Sequence, residues 1–281
     1  MAKIPSAKEA LAQMNQDYVV AKIGGKVRII GWETRDVGGG RVATAPAFSS
    51  QTDMQTLMAN RFVRARSKDE NGDDMLKRKP LFKYWMEHAD RPTAIGFTID
   101  PDGDRFVDGR LNLWQGYGVT PKAGKWPLLR AHIVDVVCNG NEEHAQYLLR
   151  YIAFAIQKPT EPSEVVVVLR GKQGTGKGTL VSLLCDIFGS HSLQVSDRRQ
   201  IVGNFNAHLM QVCFLFADEA VWAGDKQAEG TLKRMATEAT LTYEPKGLDA
   251  FEGPNMLTIM MASNEGWVVP AGEDDRRFVV L

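Results

Sequence analysis

The strongest constraint on the fold is a glycine-rich segment that follows a strongly apolar run. Residues 165–180 read VVVVLRGKQGTGKGTL, in which apolar residues precede the spacing GxxxxGK and a helical pattern follows it. Glycines let the backbone close a tight concave loop whose N–H groups point at phosphate oxygens, and a helix N-terminus attracts the same negative charge. The sequence therefore predicts a strand, a phosphate-binding loop and a helix over Lys177–Phe188.

The residue types within this loop suit the phosphate chain of a nucleotide. Lys177 supplies a point charge for the β and γ phosphates. The hydroxyl that usually follows this lysine comes one position late, because Gly178 intervenes, and Thr179 is expected to bind a phosphate or a magnesium ion. An accidental glycine turn is the alternative interpretation. The predicted nucleotide-contacting residues are Gly171, Gln173, Gly174, Thr175, Gly176, Lys177, Gly178 and Thr179.

Two later apolar runs end in polar residues that suit phosphoryl transfer. VCFLFADEA, residues 212–220, delivers Asp218 and Glu219 at the carboxyl end of a strand, where ligands bind in open α/β sheets. Asp218 is expected to hold hydrated magnesium, and Glu219 to orient and deprotonate the attacking water. LTIMMASNE, residues 257–265, ends in Asn264, whose amide is expected to position that water. A solvated acidic pair and an ordinary Ser-Asn turn are the alternatives.

An arginine pair follows in EDDRRF, residues 273–278. Arg276 and Arg277 begin a further predicted strand, and we expect them near the same end of the sheet as the other polar residues. An arginine can neutralise charge in the transition state of phosphoryl transfer, within its own chain or from a neighbour. A solvated surface pair is the alternative interpretation.

The chain divides by pattern into three predicted parts. Residues 1–118 form an N-terminal α+β accessory segment, with a hairpin where Gly24-Gly25 joins two β-rich runs and loops at 35–41 and 67–79. Residues 119–160 form a helical linker or collar, which ends in a segment that contains two prolines. Residues 161–281 alternate buried strands with helices, which predicts an α/β fold with a parallel sheet flanked by helices.

Composition limits the classes of function. Lys plus Arg and Asp plus Glu both number 34, so the chain has no general basic coat for nucleic acid. Residues 1–80 carry 14 basic and 9 acidic residues, which suggests either a local polyanion surface or an ordinary solvated face. The three scattered cysteines argue against a disulfide scaffold. We find no signal peptide and no apolar run of membrane-spanning length, and therefore expect a cytoplasmic protein without a membrane partner.

Taken in order, Lys177, Asp218-Glu219, Asn264 and Arg276-Arg277 resemble the motif set of the superfamily 3 helicases, which are AAA+ ATPases of viruses, phages and plasmids. The match covers about residues 160–281. Five longer segments resemble the helicase module of phage and mobile-element primase–helicase proteins: FNAHL (205–209), FADEAVW (216–222), GTLKRMATE (230–238), EPKGLDAFEGPN (244–255) and MASNEGWVVPAGEDDRRFVVL (261–281).

This resemblance implies a P-loop AAA+ core and assigns a role to each motif. Residues 171–179 would be the Walker A loop, Asp218-Glu219 the Walker B pair and Asn264 the sensor 1 residue. Arg276 or Arg277 would be the finger that reaches a neighbour's ATP. A hairpin over residues 241–251 would line the ring channel, with Lys246 gripping a DNA phosphate; a solvated turn lysine is the alternative from the residues alone.

The implied function is that of an ATP-dependent DNA helicase that replicates a phage, plasmid or other mobile element. Its cofactors would be ATP and Mg²⁺, and its partners single-stranded or forked DNA, a hexameric ring of its own copies and a replication primase or polymerase. The site of action would be the cytoplasm of a bacterial host. Relatives usually continue past Leu281, so we expect a C-terminally truncated core. A nucleotide or small-molecule kinase, and a nucleotide-dependent DNA-binding ring without unwinding, are the alternatives.

Overall fold

The computed structural model describes residues 5–68, 70–172, 174–203, 205–219, 225–263 and 275–281. The chain has a mixed α/β fold with several separate sheets. It forms two compact units, each assembled from more than one stretch of sequence. Over the described residues, no helix combines the length and apolar character that crossing a membrane requires.

The first unit comprises Met1–Glu33, Thr44–Thr98 and Gly103–Leu113. The elements, of which β2 and β3 continue into the second unit, are α1 Ala7–Asp17, β1 Val19–Ile23, β2 Lys26–Gly38, β3 Arg41–Ser49, α2 Gln51–Leu57, β4 Phe62–Lys68, β5 Asp74–Pro80, α3 Leu81–Met86, β6 Thr93–Ala94, β7 Phe97–Thr98, β8 Phe106–Val107 and β9 Arg110–Asn112. The main sheet has the order β3-β2-β1-β6. One smaller sheet pairs β4 with β5, and another has β9 between β7 and β8.

One apolar cluster holds the first unit together. Trp85 of α3 is fully buried in it, and the Trp85 indole N–H donates to the Asn15 side chain over 2.8 Å. Val63 joins the same cluster from β4, so the β4–β5 pair is anchored to the core along one face. α1 and α2 both begin with a capping box, at Ser6 and Ser50, which satisfies N–H groups of their first turns.

Two segments that we predicted as loops are hairpins. β2 continues through the charged residues after Trp32 as far as Gly38, and only Gly39-Gly40 form the turn into β3. Residues 67–79 contain the end of β4 and nearly all of β5. The loop predictions were wrong because charge and glycine lower strand propensity locally, whereas pairing with a neighbouring strand overrides that propensity. The predicted hairpin around Gly24-Gly25 is confirmed.

The second unit comprises Thr34–Ala43, Ile99–Asp102 and Trp114–Leu281. The elements are α4 Pro127–Ala131, a π-helix His132–Val137, α5 Glu142–Gln157, β10 Val166–Arg170, α6 Lys177–Phe188, β11 Ser192–Val195, α7 Arg199–Val202, β12 Phe214–Asp218, α8 Lys226–Thr237, β13 Thr240–Tyr243, β14 Phe251–Pro254, β15 Thr258–Ser263 and β16 Phe278–Val280. The central sheet has five parallel strands in the order β11-β12-β15-β10-β16, and β13 pairs with β14 in a separate antiparallel hairpin.

The parallel sheet is the predicted core of residues 161–281. All six residues of β15 and the first four of β10 are buried, as expected for strands covered on both faces. α5 and α6 have the predicted bounds. The helix predicted near residues 126–138 is a short α-helix that continues as a π-helix. The predicted domain boundaries near residues 118 and 160 stay predictions.

The buried His191 contacts Trp114 and Gln115, which lie in the segment before α4. The His191 ring stacks on Trp114, with centroids 4.2 Å apart. Its Nδ1–H donates to the Gln211 carbonyl over 2.8 Å, and its Nε2 accepts the Gln115 N–H over 2.9 Å. Burial lowers the pKa of His191 to about 4. The neutral ring therefore both donates and accepts, which only one tautomer allows.

Candidate functional site

The phosphate loop has the backbone form that its glycines predict. Gly174 and Gly176 have φ of 80° and 82°, values that favour glycine, and Gly176 caps the N-terminus of α6. The Lys177 ammonium folds over the loop and donates to the carbonyls of Gly171 and Lys172, the latter at 3.0 Å. The loop thus places a cation and the N-terminus of a 12-residue helix beside one another.

The π-helix supports this loop from behind. His132 Nε2 donates to the Gly176 carbonyl over 3.0 Å. A Cβ on Gly176 would lie 2.6 Å from the His132 ring, so glycine is needed there for space as well as for its positive φ. Sequence reasoning missed this contact, because His132 lies 44 residues before Gly176. Single turns of π-helix are frequent at functional sites, but this one becomes visible only in the structure.

The acidic pair lies at the carboxyl end of β12. Asp218 ends the strand, and Glu219 follows with a φ of 52°, a strained conformation for a residue with a side chain. The Glu219 N–H donates to the Ala262 carbonyl of β15 over 3.2 Å, which holds the turned backbone in place. The two adjacent carboxylates therefore stand at the edge of the sheet in a fixed geometry.

One cleft of about 510 Å³ brings the loop and the acidic pair together. β10 and β12 run parallel on either side of β15, so their carboxyl ends meet at one edge of the sheet. The glycine loop, Lys177 and the two carboxylates line the same space. The lining residues are Gly174, Thr175, Gly176, Lys177, Gly178, Thr179, Val181, Gln194, Phe216, Asp218, Glu219 and Ala262.

Gln194 lines this cleft and was missed from the sequence. It lies on β11, and its Nε2 donates to Asp218 Oδ2 over a long 3.4 Å. Behind it lies the hairpin tip, Gly38–Gly40: a Cβ on Gly38 would come within 2.3 Å of the Gln194 carbonyl oxygen. Arg41 fixes the tip to α6 by bonds to Asp186, at 2.9 Å, and to Ser182. Strands distant in sequence thus meet at Asp218.

The arginine pair lies at the other edge of the sheet. The Val166 N–H, at the start of β10, donates to the Arg277 carbonyl over 2.8 Å, and β16 runs parallel to β10. β10 spans about 13 Å between its first and last residues, so the arginines are at least that far from the loop of their own chain. Our expectation that they share an edge with the loop was wrong, because parallel strands begin at one edge and end at the other.

Local contacts hold the arginine pair near the surface. Arg276 is exposed, and Arg277 makes a 3.7 Å ion pair with Asp275. Lys233 of α8 contacts Asp275 at 2.7 Å and also pairs with Glu229. Burial opposes ionisation of Asp275, but the bonds and positive charge of Lys233 and Arg277 together outweigh it and lower the pKa of the carboxyl. A role for Arg276 or Arg277 in a neighbour's cleft stays a prediction. Gln173 and Asn264 lie outside the described residues.

The predicted hairpin around residues 241–251 is confirmed as β13 and β14 with a turn between them. Asn206, from the FNAHL segment, binds the end of β13 where the turn begins: its side chain donates to the Thr242 carbonyl and accepts from the Glu244 N–H, both at 2.8 Å. The Tyr243 hydroxyl donates to the Pro254 carbonyl over 2.8 Å. Lys246 is exposed on the turn. The turn whose start Asn206 binds therefore presents the Lys246 ammonium to solvent.

The geometry defines a cleft between a glycine-rich loop and an acidic pair at the carboxyl edge of a parallel sheet. Residues 169–277 match the model of a family of unknown function (DUF5906), which covers the loop, the acidic pair and the hairpin. The chain is 31% identical over 137 residues to a DNA primase-polymerase of Nitratiruptor phage NrS-1, which is 47% of this chain and 19% of that protein.

Solved structures extend the similarity over nearly the whole chain. Two apo structures of the NrS-1 C-terminal region superpose with TM-scores of 0.68 and 0.67 at 21% and 20% identity. They cover 96% and 98% of this chain, and the chain spans 60% and 62% of theirs. The chain therefore shares the fold of that region. It is homologous to a phage replication enzyme over about half of its own length, and the match spans only about a fifth of that enzyme.

Proposed function

We propose that the chain is an ATPase of phage DNA replication that couples ATP hydrolysis to movement on DNA, as a helicase within a hexameric ring. The observation that carries this proposal is the single cleft in which Lys177 and the glycine loop face Asp218 and Glu219. A phosphate site without carboxylates would serve binding alone, whereas carboxylates beside it supply the groups that hydrolysis needs.

Binding of the triphosphate falls to the loop and to α6. The N–H groups at the start of α6 and the Lys177 ammonium favour negative charge in the cleft. Because Lys177 is held by the carbonyls of Gly171 and Lys172, we expect phosphate oxygens to compete for the same three donors of its ammonium. His132 restrains the Gly176 peptide and so limits the entropy lost when the loop grips its ligand.

The oxygen donors in the cleft fit a magnesium ion. Asp218 and Thr179 line the same space, and Mg²⁺ is usually held by one or two protein oxygens together with phosphates and water. When bound with ATP, the ion would neutralise charge on the phosphates, and Gln194 would orient Asp218 toward it.

Glu219 is the residue that we assign to the attacking water. Its strained backbone, fixed to Ala262, holds the carboxylate at the rim of the cleft beside Asp218. A carboxylate so placed can orient the water and take its proton. Asn264, the next residue after β15, is proposed as the amide that positions the same water.

The ring is proposed from the position of the arginines. Because Arg276 and Arg277 lie at the opposite sheet edge from their own loop, we assign them to the nucleotide of a neighbouring chain. A head-to-tail ring provides that arrangement, since one face of each subunit meets the nucleotide face of the next. Lys246 on the β13–β14 turn is the proposed contact to a DNA phosphate in the channel.

The steady-state rate of ATP hydrolysis, with and without single-stranded DNA, tests this function. We expect a Mg²⁺-dependent rate that DNA stimulates and that rises per chain as the protein concentration increases. Phosphoryl transfer to AMP without DNA stimulation would indicate the kinase alternative. Nucleotide binding without hydrolysis under either condition would indicate a ring that uses ATP only for assembly.

A further inference from the structure

A two-stranded ribbon in the first unit carries a concentration of positive charge. β4 and β5 pair from Phe62↔Pro80 to Lys68↔Asp74, and the two strands together hold six basic residues and one acidic residue. Residues that face each other across an antiparallel pair, and those two apart on one strand, share a face. The outward face therefore contains Arg64, Arg66, Lys68 and Arg78.

The other face explains why the ribbon stays in place. Val63 and Ala65 alternate with the arginines and are buried, and Val63 belongs to the core cluster around Trp85. Alternation with period two then forces Arg64 and Arg66 outward, where both are exposed. The basic face is thus set by the strand pairing and does not depend on flexible side chains finding one another.

Two arginines face each other directly. Arg64 and Arg78 are register partners, and like charges at such positions destabilise a sheet. Arg78 lies with its guanidinium 3.5 Å from the centre of the Phe62 ring, which directs it along the same face. Over the described part of the chain, no carboxylate oxygen lies within 4.0 Å of a side-chain nitrogen of Arg64, Arg66 or Arg78. The pair is therefore uncompensated by neighbouring acids.

The acidic residues of the ribbon lie at its far end. Glu70, Asp73 and Asp74 belong to the turn or adjoin it, whereas Arg64 and Arg78 lie near the base. An anion is thus attracted to the base and repelled from the turn. A polyanion would consequently cross the ribbon near Arg64 and Arg78 instead of following its length.

We propose that this basic ribbon binds the sugar–phosphate backbone of single-stranded DNA. A phosphate between Arg64 and Arg78 relieves their repulsion, because each guanidinium can donate two N–H groups to phosphate oxygens. The surface is independent of ATP hydrolysis and distinct from Lys246, which lies in the other unit.

The test is the affinity of the full chain for a fluorescein-labelled 20-nucleotide oligothymidine, measured by anisotropy without nucleotide at several salt concentrations. R64A/R78A should weaken binding about ten-fold at low salt and reduce the slope of log affinity against log salt by about 1.4, which is two single-strand phosphate contacts. R64K/R78K keeps both charges and should keep the wild-type slope. K8A/K22A removes two exposed cations from the same unit and is the matched control.

The outcomes separate this proposal from the ATPase proposal, because no nucleotide is present. Circular dichroism should show unchanged folding of R64A/R78A, since neither side chain is buried. Wild-type affinity and slope in R64A/R78A would overturn the proposal. An equal loss in K8A/K22A would also overturn it, because net charge alone would then explain the binding.

Discussion

At the scale of single residues, the fold sets the ionisation or the backbone conformation of particular residues. His191 is the clearest example, because burial keeps its ring neutral while two backbone groups occupy both nitrogens. Glu219 is fixed by a strained backbone instead. Each of these two residues yields a prediction.

Stability should fall as the pH drops from about 6.5 to about 4. The folded pKa of His191 lies below its unfolded value of 6.5, so the unfolded chain binds more protons in that window and is favoured there. The difference between the folded and unfolded pKa of His191 corresponds to about 3 kcal/mol of folding stability at most. The test is the melting temperature against pH: H191Q should flatten the curve between pH 4 and 6.5, whereas H144Q, at an exposed position, should not.

The same curve can contradict the account of His191. Burial also lowers the pKa of His208, so the wild-type slope has a second contribution in the same direction. The relevant quantity is therefore the difference between H191Q and the wild type. Parallel curves for the two proteins would show that His191 does not titrate in the folded chain as its burial requires.

E219Q should bind ATP with near wild-type affinity and hydrolyse it about 10²-fold to 10⁴-fold more slowly, because an amide cannot accept the proton of water. K177A should instead weaken nucleotide binding, because it removes the cation that faces the phosphates. Binding of a fluorescent ATP analogue and single-turnover phosphate release measure the two effects separately. A wild-type rate of hydrolysis in E219Q would remove Glu219 from the role of general base.

At the scale of elements, two hairpin tips of the second unit are fixed by specific hydrogen bonds. The tip Gly38–Gly40 contacts Gln194, which lines the cleft, and Arg41 bonds the tip to Asp186. The β13–β14 turn presents Lys246, and Asn206 bonds the start of that turn. Changes at either tip should therefore alter one function without unfolding the sheet.

G38A should raise the Mg²⁺ concentration needed for half-maximal nucleotide binding, about ten-fold. Its Cβ would collide with the Gln194 carbonyl oxygen and displace the side chain that orients Asp218. G40A is the matched control, because Gly40 also has a positive φ of 73° but no neighbour within 4 Å. Equal effects of the two substitutions would attribute the change to backbone strain and not to Gln194.

K246A should weaken binding of single-stranded DNA to a similar degree for all sequences and reduce the salt slope by about 0.7, the value for one phosphate contact. Lys246 is exposed on the β13–β14 turn, and a single ammonium there would contact a phosphate without reading the bases. Anisotropy with homopolymers of different sequence at several salt concentrations measures both quantities. Unchanged affinity at low and high salt would exclude Lys246 from the DNA path.

The sequence predicted the elements whose information is local. The loop, α6 and the buried strands follow from glycine spacing and apolar runs over short windows, and the β13–β14 hairpin was implied by the resemblance to the helicase family. It did not predict contacts between distant segments, such as His132 with Gly176 or Gln194 with Asp218. The predicted position of Arg277 was wrong for the same reason, because the edge at which β16 begins is set by its parallel pairing with the distant β10.

At the scale of the whole molecule, the chain combines two units with separate chemistry. The second unit contains the cleft, the arginine pair and the Lys246 hairpin, and the first carries the basic ribbon. The NrS-1 C-terminal region shares this fold over 96% of the chain. Under the proposed function, the second unit would supply the hydrolytic site and one DNA phosphate contact, and the first unit a further contact.

The central claim is that the cleft is completed by an arginine from a neighbouring chain. Arg276 and Arg277 lie across the sheet from their own loop, so R276A/R277A should lower the rate of ATP hydrolysis on the order of 10³-fold with little change in nucleotide affinity. K177A should be inactive for a different reason, since it lacks the phosphate-binding cation but keeps both arginines.

Mixing these two inactive variants is the most direct measurement. An R276A/R277A subunit has an intact loop and acidic pair, and a K177A neighbour supplies its arginines, so the mixture should regain ATP hydrolysis at the interfaces they share. The regained rate should rise with total protein concentration as subunits associate. A mixture that stays as inactive as its components, beside a wild-type rate per chain independent of concentration, would contradict the account and show that one chain contains the whole site.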